Sequence, residues 1–174
     1  LLITATAATL VNHQALNAHL IDEEVWLFDE VNIGLAVDLE EGLIVPVLRG
    51  ASRLSLEEIR AERLRLVEGV RSDTIQPAEL MDGTFTITNL GAWQIDAFTP
   101  IINPPQVAIL GVGRMSERPA IIEGELAART EMVLSLTFDH RALDGRAAAE
   151  FLIELAELLA SSKDLGELTG IQVD

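Results

Sequence analysis

Asp139-His140-Arg141-Ala142-Leu143-Asp144-Gly145 is a polar joint between two apolar segments. Residues 132–138 before it read as a strand. From about Arg146 to Ala160 the chain reads as a helix with Phe151, Leu152, Leu155, Leu158 and Leu159 on its apolar side. Charges set between such elements need partners. Asp139 and Asp144 flank Arg141 and are both expected to pair with it, which leaves His140 free to exchange protons near neutral pH. Gly145 permits a tight turn or a close approach of the helix start. On these grounds alone, a single histidine between strand and helix is more often a packed, hydrogen-bonded residue than a catalyst.

Working back from this joint, residues 120–122, 126–129 and 107–113 have strand character, with Glu123-Gly124-Glu125 at a turn. Residues 90–106 form a connection holding Gly91, Pro100, Pro104 and Pro105. It is longer than a link needs and is therefore a candidate for function. In the strand at 84–89, Thr84, Thr86 and Thr88 alternate with Phe85 and Ile87, so the threonines share one face. Gln76-Pro77-Ala78-Glu79-Leu80 reads as a short helix with proline near its start. Ser55-Leu56-Glu57-Glu58 is a capping box opening a helix that runs to about Gly69 and carries Leu56, Ile59, Leu66 and Val70. Residues 25–28, 33–38 and 43–48 read as strands, with Glu40-Glu41-Gly42 as a hairpin turn. Residues 1–11 read as a mostly buried helix ending near Asn12-His13.

The 174 residues suit one domain, and 49% hydrophobic content is enough to bury a core. The apolar runs at 1–11 and 101–112 are too short for a bilayer or broken by Pro104, Pro105 and Gly111, so no membrane partner is expected. A formal charge of −16, with only Lys163 as a lysine, argues against nucleic acid. Arg60, Arg63 and Arg65 form the one local cluster of positive charge. The absence of cysteine removes thiolate and Cys-zinc chemistry and fits a reducing compartment, and residues 1–20 show no signal peptide, so a cytoplasmic location is expected. His13 and His19 have no companions at metal-ligand spacing, and no metal is expected.

His140-x-x-x-Asp144-Gly145, with Asp139 and Arg141, resembles the signature of the dihydrolipoamide acyltransferase components of 2-oxo acid dehydrogenase complexes and, more distantly, of chloramphenicol acetyltransferase. Further stretches resemble consecutive segments of that family. They are Phe85-Thr86-Ile87-Thr88-Asn89-Leu90-Gly91, Phe98-Thr99-Pro100-Ile101-Ile102-Asn103-Pro104-Pro105-Gln106 and Ala108-Ile109-Leu110-Gly111-Val112-Gly113. An earlier pair of strands, Asn32 to Asp38 and Gly42 to Val47, is also similar.

The resemblance implies an α/β fold of the chloramphenicol acetyltransferase type, a two-layer sandwich with a mixed sheet and helices on one face. It implies that residues 1–174 are an acyltransferase catalytic domain lacking its N-terminal portion, with no lipoyl or peripheral-subunit-binding domain. His140 would be the general base, Thr88 the donor to the oxyanion, and Asp144 a support for the loop and the histidine. Coenzyme A contacts would fall at Asn89, Asp38 and Gly111, and Trp93 would lie near the channel, with Gln94 where relatives often have a small residue. Coenzyme A is a substrate, and lipoamide would arrive on a separate domain.

The implied partners are two further copies in a homotrimer that builds a larger core, together with the dehydrogenase and dihydrolipoamide dehydrogenase components. Acetyl is the first expectation, with succinyl and branched-chain groups behind it. A trimeric small-molecule O-acetyltransferase and a non-catalytic scaffold core are the alternatives. The last helix and residues 165–174 are expected to support contacts between copies.

Overall fold

Phe85 and Ile87 turn one way from their strand and the threonines the other, and the whole architecture follows from that division. The computed structural model describes residues 1–40, 42–122 and 124–161; the tail expected to join copies, 165–174, lies outside them. In chain order the elements are α1 (Leu2–Asn12), β1 (Ala18–Ile21), β2 (Glu24–Leu27), β3 (Ile33–Leu35), β4 (Val37–Leu39), β5 (Gly42–Ile44) and β6 (Val47–Leu48). Then come α2 (Leu56–Arg71), β7 (Phe85–Asn89), β8 (Ala108–Val112), β9 (Ser116–Ile122), β10 (Glu125–Glu131), β11 (Leu134–Phe138) and α3 (Gly145–Ala160).

The main sheet has the order β11-β8-β7-β3-β6. β7 runs parallel to β3 and β8, while the edge strands β6 and β11 are antiparallel, so the sheet is mixed as expected. Phe85, Ile87, Leu110 and Val112 face a layer formed by the helices. Phe151 of α3 sits at its centre, fully buried, with its ring 5.8 Å from Phe85 and 5.7 Å from His13. Apart from Leu10, the side chains α1 buries are small, Ala5, Ala7 and Thr6 among them, which lets this helix lie close to α3.

The capping box of α2 is present in full: Glu58 N donates to Ser55 Oγ, and Ser55 N donates to Glu58 Oε2. Its helix continues two residues past Gly69. Pro77–Leu80 forms a 3₁₀ turn with proline in the first position.

Two expected strands are each divided in two. The run at 33–38 leaves the main sheet after Leu35, and Val37–Leu39 pairs with Gly42–Ile44 in a separate hairpin. The run at 43–48 breaks at Pro46, which has no N–H to give a ladder but whose carbonyl accepts from Leu35 N at 2.9 Å. The β1–β2 hairpin was not visible in the sequence. Its turn residues Asp22 and Glu23 both have positive φ, a conformation usually marked by Gly, Asn or Asp, and Glu23 is the unusual member of the pair. β9 and β10 are longer than expected and pair only with each other, as a two-stranded arm.

Candidate active site

The threonine face of β7 is covered by residues 90–106. Thr84 Oγ1 donates to Asn17 Oδ1 and accepts from Asn32 N, and Thr86 Oγ1 donates to Gln106 Oε1 at 2.6 Å. Both hydroxyls are buried and committed. Thr88, next on the same face, is half-buried and makes no side-chain hydrogen bond among the described residues. It opens onto two cavities at once, one of about 880 Å³ and one of about 400 Å³.

The larger cavity is lined by Asp38, Asn89 and Trp93 and by Arg63, Val67 and Arg71 of α2. Among the described residues every arginine except Arg60, Arg63 and Arg71 is paired with a carboxylate. Arg63 and Arg71 are eight positions apart with Val67 between them, so all three share one helix face. The expected basic cluster was different. Arg65, which belonged to it, is tied to Glu62 and Glu79, both at 2.6 Å, and serves structure. The i, i+4, i+8 spacing of Arg63, Val67 and Arg71 was the available signal.

Asn89 and Asp38 thus share a cavity with Thr88. The Asn89 side chain accepts from Gly91 N at 2.7 Å and starts the turn into the long loop. Gly111 pairs with Thr88 across the β7–β8 ladder, and a Cβ there would stand 3.1 Å from both Phe98 and Pro100. Its observed task is to let the loop press onto the sheet. Gln94, in the left-handed region, accepts from Arg114, whose guanidinium also holds Asp96 of the same loop. Trp93 lies exposed in the arginine-lined cavity, and the 400 Å³ cavity is built without it.

His140 and Asp144 lie elsewhere. Thr88 is aligned with Gly111 on β8, and Gly111 with Ser135 on β11, whereas His140 follows Phe138 at the opposite end of β11. Two strand spacings and three residues of rise separate the Thr88 and Phe138 backbones by about 14 Å, with His140 beyond that. No rotamer of either side chain closes such a gap. His140 is exposed, packs its ring 4.6 Å from Phe138, and makes no hydrogen bond among the described residues.

The loop around His140 is held from both sides. Asp139 accepts from the guanidinium and backbone N–H of Arg141, which keeps its carboxyl down at about 2. A lowered carboxyl stabilises the folded loop above the ordinary carboxylate range, and this contribution is lost as pH falls through about 2. The clamp therefore holds throughout the neutral range. Asp144 does not share Arg141, contrary to expectation. Its Oδ1 accepts from Arg146 N and Ala147 N at 3.1 and 3.0 Å and caps α3, because the free N–H groups of a helix start converge on that position. Asp144→Ala is expected to cost about 1 kcal/mol and Asp144→Asn much less, read from urea midpoints at constant m.

The protein-family model of the 2-oxoacid dehydrogenases acyltransferase catalytic domain matches residues 1–166. The chain belongs to this family. The acyltransferase domain is 40% identical over 161 residues to the dihydrolipoyllysine-residue acetyltransferase component of the pyruvate dehydrogenase complex of Mycoplasma capricolum. That match covers 91% of this chain and 37% of the relative. It is 39% identical over 157 residues to the succinyltransferase component of the 2-oxoglutarate dehydrogenase complex of Haemophilus influenzae, covering 90% and 38%. The domain thus spans little more than a third of the curated relatives it matches.

Among solved structures it resembles the cubic core of the pyruvate dehydrogenase multienzyme complex, with a TM-score of 0.89, 38% identity, and coverage of 96% of this chain and 68% of the other. It is equally similar, at TM-score 0.89 and 37% identity with the same coverage, to the Azotobacter vinelandii dihydrolipoamide acetyltransferase, investigated for the roles of a serine, a histidine and an asparagine in its catalytic mechanism. Chloramphenicol acetyltransferase, at TM-score 0.52 and 14% identity over 91% of this chain, shares the fold. The acyltransferase domain is thus an α/β sandwich of that type. No described helix is long and apolar enough to cross a membrane, and no described group of His, Cys, Asp and Glu could hold a metal ion.

Proposed function

We propose that this domain moves an acyl group between the thiols of a dihydrolipoyl arm and coenzyme A, in a cytoplasmic 2-oxo acid dehydrogenase complex. Its active site is shared between copies in a trimer that builds a larger core. The dehydrogenase component loads the lipoyl arm, carried on a separate domain, and dihydrolipoamide dehydrogenase reoxidises it.

His140 of one copy takes the proton from the attacking thiol as its sulfur adds to the thioester carbonyl. Thr88 of another copy donates to the tetrahedral oxyanion. Collapse expels the second sulfur, which recovers the proton from His140. A well-aimed oxyanion donor contributes about 3 kcal/mol, and a positioned base roughly 10²- to 10⁴-fold. Asp144 and Asp139 hold the histidine loop, while Arg63, Arg71, Asn89 and Asp38 line the side where the anionic coenzyme enters. Gly111 seats the roof.

The observation carrying this reading is Thr88. It has the one uncommitted hydroxyl of its row, and it lies too far from His140 to meet it within a chain. The catalytic serine, histidine and asparagine studied in the Azotobacter protein lie 52 and then 4 positions apart, the intervals from Thr88 to His140 (88 to 140) and on to Asp144 (140 to 144).

Shared sites make a direct test possible in the full-length protein. Thr88→Ala and His140→Ala are each expected to lose activity by roughly 10² or more. Random co-assembly of the two at equal amounts should restore roughly a quarter of wild-type activity, since each site then has an even chance of each intact residue. Full co-assembly without rescue would sink the shared site.

A further inference from the structure

The relatives include acetyl- and succinyltransferases at almost equal identity, 40% and 39%, so similarity does not fix the acyl group. The cavities meeting at Thr88 differ in a way that does. Arg63 and Arg71 belong to the larger one. The smaller, about 400 Å³, lies over Ile109 of the sheet and is walled by Val45, Phe98, Pro100 and Ile102, and no charged side chain among the described residues lines it. Its deepest hydroxyl, Thr86, is already spent on Gln106.

We propose that this chamber is the acyl pocket and that it selects a short neutral aliphatic acyl group against a dicarboxylic one. The inference rests on the transfer reading above and narrows its substrate. A succinyl tail would bring a carboxylate against apolar walls on which the described residues of the copy that supplies Thr88 place no cation, in a chain of formal charge −16. Desolvating an unpaired carboxylate costs several kcal/mol, whereas extra methyl groups in an apolar chamber change binding much less. Acetyl and isobutyryl groups both fit the volume, and the size of the chamber gives little ground for separating them.

The experiment is a comparison of acetyl-, isobutyryl- and succinyl-CoA as donors to free dihydrolipoamide, using the full-length assembled protein. Isobutyryl-CoA should fall within roughly tenfold of acetyl-CoA in kcat/KM, and succinyl-CoA at least about 10²-fold below. Leu43, 61% exposed on the rim of the chamber, can accept a charge without unfolding the domain. Leu43→Lys should raise the succinyl-to-acetyl ratio by roughly three- to fivefold, the effect of one largely solvated ion pair. Succinyl-CoA used as well as acetyl-CoA by the wild type, or a Leu43→Lys ratio unchanged, overturns the chamber assignment while transfer itself stands. If the assembled protein accepts none of the three donors, the transfer reading falls and takes this one with it.

Discussion

His140→Ala, introduced into the full-length protein, should lower kcat for acyl transfer to dihydrolipoamide by 10²- to 10⁴-fold while particle mass and thermal midpoint stay at wild-type values. The second half of that expectation follows from how little His140 supports. Its ring touches Phe138, it is exposed, and it makes no hydrogen bond among the described residues. The loop that carries it is fixed instead by Asp139 with Arg141 and by Asp144 on the start of α3, and both survive the substitution. KM for either thiol should change little, because a base is felt in the transition state and not in the bound substrate. A variant with wild-type kcat would remove His140 from the mechanism. One that lost activity only by dissociating, seen as a lower particle mass, would give it a structural role instead.

Phe151→Ala is expected to have the largest effect on stability, costing about 3–5 kcal/mol. Phe151 is fully buried and lies between β7, through Phe85, and the end of α1, through His13. Truncation removes the side chain that holds the helix layer to the sheet, and the surroundings cannot close over the gap. Phe85, Leu110 and Leu155 are themselves fully buried, and their positions are set by strand and helix backbones. Set against total stabilities of roughly 5–15 kcal/mol, such a loss brings the domain close to unfolding at 37 °C. Urea denaturation of the assembled protein at one fixed protomer concentration measures it, since association adds its own stabilisation. A shift below about 1 kcal/mol would mean that α3 is held mainly by something other than this contact. Phe151→Leu, which keeps most of the volume, should recover most of the stability.

The long regular elements were legible because their causes are local. The apolar side of α3, the box at Ser55 and Glu58, and the alternation through β7 are each set by neighbours within a few residues. Breaks were legible only where the breaker was named in the sequence. Pro46 could have announced the division of 43–48. Asp22 is a residue that tolerates positive φ, but Glu23 is not, and without a glycine beside it the pair gave only a weak hairpin signal. Gly113 shows the reverse limit. A Cβ there would fall 1.9 Å from the Asp96 carbonyl oxygen, yet the sequence shows only a glycine after a strand.

By itself the sequence determined the family, the mixed α/β architecture and the residue types that carry the chemistry, because patterns of period 2 and 3.6 and the joint from Asp139 to Gly145 are written in consecutive residues. Only the tertiary structure decided which of three equivalent threonines has a free hydroxyl, since the partners that occupy the other two, Asn17 and Gln106, are 67 and 20 residues away. It alone separated His140 from Thr88, left Arg63 and Arg71 without a carboxylate among the described residues while tying Arg65 to Glu79, and gave Asp144 to the start of α3. The physical reason is the same in each case. Secondary structure follows from what a residue is and what stands next to it in the chain, whereas a polar group's availability depends on which distant groups the packed core brings within about 3 Å of it.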